Sequence, residues 1–208
     1  HTVLLLSQEM AVGELVDRLV ANLGRVALGH LASGELEDGA WSGITDAMET
    51  GKDLPFFLDD TPALTLAAIR TKARQVQRKR GLALLVVDYL QLCAATGAHD
   101  KRHHQIEQIS RGLKALSKEL GITILLLSQL NRASTQKDEP QLTDLKESGA
   151  IEEDADVVIL LQPKAWQPDG SLLVAANLAK NRQGKRVKVA LSFRGEYQRW
   201  SESTASLS

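Results

Sequence analysis

The chain has 208 residues, 43% hydrophobic and 25% charged, with a formal net charge of -1. That composition fits a globular domain with a large core, and the bulk charge argues neither for nor against nucleic acid, so any anion site must be a local cluster. A lone cysteine, Cys93, excludes an intrachain disulfide framework and fits a reducing compartment, and no run of about 18 or more apolar residues offers a membrane span.

In chain order, "TVLLLS" (2–7) comes first and starts at full strand strength, with no basic region ahead of it. It therefore reads as a strand, not a signal peptide, and the chain reads as starting inside a domain. "LTLAAIRTKARQVQRKRG" (64–81) reads as a helix feeding a strand, "LALLVVD" (82–88). The six basic residues of that helix read as a solvated face. His99, His103 and His104 read as lying in a polar loop without cysteine support, which argues against a metal site. In "IEQISRGLKALSKELG", Ile106, Ile109, Leu113, Leu116 and Leu120 recur at helical spacing, and Gly121 suits the stop. "ITILLLS" (122–128) and "ADVVILL" (155–161) read as further strands.

Continuous apolar strands of this kind belong to parallel sheets covered by helices, joined by right-handed crossovers. Residues 130–150 form a long polar, Gly-bearing loop, of a length that is usually functional or mobile. After residue 170 the pattern changes. "KRVKVALSF" alternates Val187, Val189, Leu191 and Phe193 with polar or small residues, and Asn181–Gly184 suit a turn. This predicts an antiparallel hairpin, then a short edge strand in "GEYQRW". The expected organisation is one domain over 1–200 and a disordered polar tail at 201–208.

Three apolar strands end in polar groups: Ser7-Gln8-Glu9, Asp88, and Ser128-Gln129. Open parallel sheets bind ligands outside the carboxyl ends of their strands. Any one of these residues could simply cap a helix or bond a loop amide. Together they offer an acid for Mg²⁺, an acid to activate water and an amide to sense a phosphate. That set suits nucleotide hydrolysis, in which an Asp ending a buried strand holds Mg²⁺. Asp88 interrupts the apolar run "LLVVDYLQL", where an unpaired carboxylate is costly, and a metal ion is its expected partner.

These stretches resemble the ATPase domain of the bacterial replicative hexameric helicases, the DnaB type, over nearly the whole chain. "LLLSQEM" resembles the family's strand and acidic motif, "LVVDYLQL" its Walker B strand, and "ISRGLKALSKELGITILLLSQLNR" its sensor strand. "LDDTPALTLAAIRTKAR", "LTDLKESGAIEEDADVVILL" and "AKNRQGKRVKVALSF" match in order as well. The resemblance implies a RecA-like α/β fold, mostly parallel sheet flanked by helices, with a C-terminal antiparallel hairpin. It implies ATP and Mg²⁺ as cofactors, with Ser7, Asp88 and Gln129 at the nucleotide and Asp88 serving the metal through water. Glu9 would polarise the attacking water, and Gln129 would sense the γ-phosphate. Lys180 and Arg182 would reach into a neighbouring subunit's site. Single-stranded DNA would be held at Lys146, Glu147 and Gly149, through loop amides and one basic side chain. The carboxylates Glu152, Glu153 and Asp154 would face solvent or a neighbour. The implied assembly is a cytoplasmic homo-hexamer, with primase and a helicase loader as further partners.

The chain departs from the pattern in places. It contains no G-x-x-x-x-G-K-[ST] phosphate loop. The expectation is a domain lacking its first strand and Walker A loop, which alone binds ATP poorly. Gln8 replaces a usually apolar residue, and Lys146 replaces an arginine, which loses bidentate phosphate geometry. Two other functions fit parts of the pattern: a non-hydrolysing RecA-like subunit that binds DNA or a helicase, and a recombinase-type ATPase. Glu9, Asp88, Gln129 and Arg182 together favour hydrolysis, and "DYLQL" with "ESGAIEEDAD" favours the helicase.

Overall fold

The computed structural model describes residues 1–90, 99–131, 139–145 and 149–207, without the side chains of 99–103. The chain forms two compact units where the sequence shows no boundary: His1–Val12 with Pro55–Ala155, and Gly13–Leu54 with Asp156–Ser208.

The first unit is built on a parallel sheet. Its strands are β1 (Thr2–Ser7), β2 (Phe56–Asp59), β3 (Leu82–Asp88) and β4 (Thr123–Leu126), in the order β2-β1-β3-β4. The helices α4 (Leu66–Arg80), α5 (His99–Leu120) and the short α6 (Gly149–Asp154) belong to this unit. Thr65 caps α4 by accepting from the Ala68 N–H, and Gly81, at φ 68°, ends it. Both features follow from residue chemistry, a hydroxyl N-cap and a glycine past the last turn. Leu4, Leu6, Leu85 and Val87 from the strands pack with Ile69, Ala73, Ile106, Ile109, Leu113 and Leu116 from the helices. The approach of α5 is close. A Cβ at Gly112 would fall 2.2 Å from Leu66 Cδ2, so a larger residue there would require the Leu66 side chain to move. The predicted strand at 122–128 is shorter, ending at Leu126, and the histidine stretch opens α5 and is no loop. The long loop between β4 and α6 holds, in its described part, a 3₁₀ turn over Leu142–Asp144.

The second unit holds α1 (Val12–Gly24), α2 (Leu28–Ser33) and α3 (Ala40–Lys52). Its antiparallel sheet has the order β5-β6-β7-β8: β5 (Val157–Trp166), β6 (Leu172–Asn181), β7 (Lys188–Arg194) and β8 (Arg199–Glu202). Here the sequence reading needs correction. The run beginning at Val157 is a strand, but it pairs antiparallel with β6 and is not buried on both faces. Val158 and Leu160 are buried while Val157, Ile159 and Leu161 are about half exposed. A five-residue apolar run looks the same whether a sheet covers one face or two. The predicted hairpin pairs β6 with β7, but Val187 and Val189, expected inside, are exposed, and Ala190 is the buried residue. Phe193 instead packs on Trp200 across to β8, ring centroids 4.5 Å apart. β8 runs through Glu202, and the Ser203 N–H donates to the Ala190 carbonyl, so the first residues of the expected tail are hydrogen-bonded. α1 and α3 meet at two glycines. A Cβ on Gly24 would lie 2.4 Å from the Gly43 carbonyl oxygen, and one on Gly43 would lie 2.5 Å from that of Gly24.

Candidate functional site

Strand register brings the predicted residues together. Ser7, at the end of β1, pairs in register with Asp88, at the end of β3. β3 in turn pairs with β4 through Val87 and Leu126, so Ser128 and Gln129 follow at the same end of the sheet. The Gln8 N–H donates to the Asp88 carbonyl at 2.6 Å. Leu127 donates to Val87 O at 3.0 Å, and Leu90 to Leu127 O at 3.1 Å, tying the β3 and β4 ends past the regular ladder. Glu9, Asp88 and Gln129 therefore issue from three neighbouring strand ends. Glu9 and Gln129 are exposed and Asp88 is half-buried. An exposed acid and amide beside a half-buried acid are accessible to a ligand in the crevice that open parallel sheets form there.

Ser7 departs from expectation. Its side chain is fully buried. The hydroxyl donates to the Met10 carbonyl at 2.7 Å and accepts the Met10 N–H at 3.0 Å. It closes the turn that carries Glu9, so both of these bonds of the hydroxyl are local.

A fourth strand end joins the group. Asp59 ends β2, opposite Leu6 of β1, and forms an ion pair with Lys72 of α4. Burial pushes the Asp59 carboxyl up, but hydrogen bonds from Lys72 and Thr61 outweigh this and hold it below the usual carboxylate range. Sequence reasoning missed this end because β2 is four residues long, too short for a period to register. The signal was there in "FFLDDT", another apolar run ending in acids. The basic face of α4 is partly paired: Arg74 grips Glu119 with two hydrogen bonds, at 2.8 and 3.0 Å.

The DNA-loop residues Lys146 and Glu147 lie outside the described residues. Gly149 is exposed and begins α6. The expectation that Asp154 faces solvent is corrected, because it is half-buried and accepts the Ser110 hydroxyl at 2.7 Å, pinning the end of α6 to α5. A buried Ser110 left without an acceptor would cost more than the bond gains, which explains why the acid turns inward.

Lys180 and Arg182 belong to the second unit. Lys180 pairs in register with Val158, and Arg182 sits just beyond the end of β6. The Arg182 N–H donates to the Asp156 carbonyl at 2.9 Å, and its guanidinium donates to the Asp156 carboxylate at 3.0 Å. Both side chains are more than half exposed. Such a pair contributes at most about 1 kcal/mol, so it directs the guanidinium without locking it. Asp156 was not anticipated. The turn beyond is closed by Asn181, whose side-chain amide donates to the Lys185 carbonyl at 3.0 Å.

Among the described residues, no cluster of three or more His, Cys, Asp or Glu could hold a metal by itself, and no helix is long and apolar enough to cross a membrane.

Residues 1–202 match the family described as DnaB-like helicase C terminal domain. The chain is similar to the replicative DNA helicase DnaB of Leifsonia xyli, 37% identical over 201 residues, covering 94% of this chain and 44% of that protein. It is similar to DnaB of Geobacillus stearothermophilus, 34% identical, covering 96% of this chain and 45% of that protein. Among solved structures it is similar to an isolated ATPase domain, with a TM-score of 0.88, 32% identity, and coverage of 97% of this chain and 74% of that one. A DnaB-like replicative helicase, solved in a study of its interactions with primase, gives a TM-score of 0.86 at 31% identity, covering 96% of this chain and 50% of that one. The chain thus spans less than half the length of these curated relatives. With residues 1–202 matched and relatives 34–37% identical over nearly all of its length, the chain belongs to the DnaB-like helicase C-terminal domain family.

Proposed function

We propose that this chain is the motor domain of a replicative DNA helicase, which hydrolyses ATP to translocate on single-stranded DNA and unwind duplex as a hexameric ring. The observation that carries the reading is the β1–β3–β4 register, which sets the ends bearing Glu9, Asp88 and Gln129 side by side.

The residues fit a nucleotide with its metal. Mg²⁺ takes hard oxygen ligands and is usually held by one or two carboxylates together with substrate phosphates and water. A single strand-end carboxylate, Asp88, meets that requirement. When bound, the metal would neutralise charge on the β- and γ-phosphate oxygens. Glu9 would accept a hydrogen bond from the attacking water and hold it in line. Gln129, whose amide both donates and accepts, would contact the terminal phosphate, and its loss would be felt in the loop that begins there. Lys180 and Arg182 would supply positive charge to the neighbouring subunit's transferring phosphoryl, an effect worth roughly 10³–10⁵ in rate in related chemistry. The DNA strand would run past Lys146, Glu147 and Gly149, with small affinity per subunit added up around the ring. Primase and a loader would be further partners, and the cytoplasm its place of work.

The test is ATP hydrolysis with and without single-stranded DNA, on this chain and on a form extended upstream with a phosphate-loop segment. The expected result is DNA-stimulated turnover by the extended form and poor nucleotide binding by the chain alone. If the extended form binds ATP but never hydrolyses it, the roles of Glu9 and Arg182 fall, and a non-hydrolysing binding subunit becomes the better reading.

A further inference from the structure

Gln8 stands between the buried Ser7 and the exposed Glu9, and its backbone N–H and both polar atoms of its side chain are engaged. Its N–H donates to the Asp88 carbonyl at 2.6 Å. Its side-chain nitrogen Nε2 donates to the Thr61 carbonyl at 3.0 Å, and its Oε1 accepts the Leu64 N–H at 2.8 Å. One residue therefore joins the end of β1 to the end of β3 through its backbone, and to the β2–α4 connection through its side chain. The two side-chain bonds run in opposite senses, donor and acceptor, which the two ends of an amide satisfy and a carboxylate does not. On the other side of Glu9, the Ser7 hydroxyl holds Met10 by two bonds. The glutamate thus sits on a two-sided clamp, although its own side chain is exposed.

The β2–α4 connection is itself well anchored. Asp59 accepts from Lys72 and from the Thr61 N–H, and Asp60 accepts the Val12 N–H at 2.9 Å. Leu64 is buried in the core, at 3% exposure. Gln8 therefore grips a rigid partner, which a positioning bond requires. An exposed catalytic group owes its aim to its backbone, because no packing holds the side chain. A misplacement of about 1 Å at a reacting group can cost about 100-fold in rate.

We propose that Gln8 is a positioning residue for hydrolysis: its amide clasp on Thr61 and Leu64 fixes the backbone at Glu9 against the Asp88 strand end. This rests on the proposed role of Glu9, and the experiment separates the two. It uses the full-length helicase, with Gln8→Leu, Gln8→Glu, Glu9→Gln and the Gln8→Leu/Glu9→Gln double variant. Turnover, the KM for ATP and hydrogen exchange at the Leu64 amide are measured for each.

Gln8→Leu keeps the volume and removes both bonds. It is expected to lower kcat about 10- to 100-fold while leaving the KM for ATP within about twofold. Gln8→Glu keeps the acceptor for Leu64 but places a carboxylate oxygen against the Thr61 carbonyl, and is expected to fall between Gln8→Leu and the parent. The Leu64 amide is expected to exchange faster in Gln8→Leu, whatever the activity. The double variant is expected to be no slower than Glu9→Gln alone, because a group that acts only through Glu9 has nothing left to position. An additive loss in the double variant, full turnover in Gln8→Leu, or unchanged Leu64 protection each overturns the proposal. Parent-like turnover in Glu9→Gln removes the role of Glu9 itself, a failure seen in that variant alone, and the proposal falls with it.

Discussion

Replacing Gly43 with alanine tests the packing of the second unit, and two opposed effects decide its sign. Gly43 lies inside α3, where alanine is favoured over glycine by about 1 kcal/mol. Against this, the new Cβ would stand 2.5 Å from the Gly24 carbonyl oxygen and 3.3 Å from Val26 Cγ2. An ordinary carbon–oxygen contact is about 3.3 Å, so α1 and α3 have to part by roughly 0.8 Å. The obstacle is backbone, which cannot rotate away as a side chain would. Overpacking of this kind costs about 1–3 kcal/mol. The net expectation is a loss of about 0–2 kcal/mol, or a Tm lowered by up to about 8 °C at this chain size, and in any case a Tm below that of a glycine-to-alanine change without the clash. Gly51→Ala is the control. It lies in the same helix with nothing within 4 Å of its Cβ, so only the propensity gain applies and Tm is expected to hold or rise slightly. All three tryptophans, Trp41, Trp166 and Trp200, lie in the second unit, so thermal unfolding followed by intrinsic fluorescence reads this unit. A Gly43→Ala protein as stable as Gly51→Ala would refute the close approach.

Three further outcomes follow from the structure. Leu85 is fully buried in β3, so Leu85→Ala is expected to cost about 2–5 kcal/mol in urea unfolding and Leu85→Met less than about 1.5, and equal costs would contradict its burial. Asp169 accepts hydrogen bonds from the Ser171 hydroxyl and N–H and from Arg194, which hold its pKa at about 2, below the usual 3.8. A depressed carboxylate adds stability above its unfolded pKa and loses it as pH falls through the folded one. The Tm of Asp169→Asn should therefore lie below the parent's at neutral pH, with the gap closing between pH 3.8 and about 2; a gap constant with pH contradicts the assignment. Finally, helicase rings mixed from Glu9→Gln and Arg182→Ala subunits should recover part of the ATPase lost in each alone, because some interfaces then pair an intact Glu9 with an intact Arg182. No recovery on mixing means that the arginine does not act in trans.

The parallel sheet was legible because its strands carry their own signal. Runs such as "LLLS" and "LLVVD" are apolar on successive residues, which marks a parallel-sheet strand, but the expected burial of both faces needs correction: Leu4, Leu6, Leu85 and Val87 are buried, while Val3, Leu5 and Val86 are half-buried and Leu125 of β4 is exposed. The helices α4 and α5 were legible from period and stop signals. The site followed from one rule, that strands of such a sheet end at the ligand. What escaped is physically different. Whether β5 runs parallel or antiparallel is decided by its partner, not its composition, so "VVILL" was placed in the wrong sheet. Ser7 was read by chemical type, and its hydroxyl proved to be used within its own turn. Asp156 and Gln8 act through hydrogen bonds to residues tens of positions away in sequence, Arg182 for the first and Thr61 and Leu64 for the second, and no spacing announces such a pair.

The placement of the candidate site is a consequence of the core. In β1, Leu4 and Leu6 are buried, and in β3, Leu85 and Val87 are buried. The register irregularity between β1 and β3 is confined to Thr2 and Val3. From Val3 onward the pairing is continuous, Leu4 with Leu85, Leu6 with Val87, and Ser7 with Asp88. Because side chains alternate, a slip of one residue would turn Leu4 and Leu6 away from the helices, at a cost of about 1.5–3 kcal/mol for each leucine exposed. That penalty, and not any attraction among polar groups, fixes which residue stands opposite Asp88. The same apolar ladder sets the strand ends that bear Glu9 and Asp88 side by side.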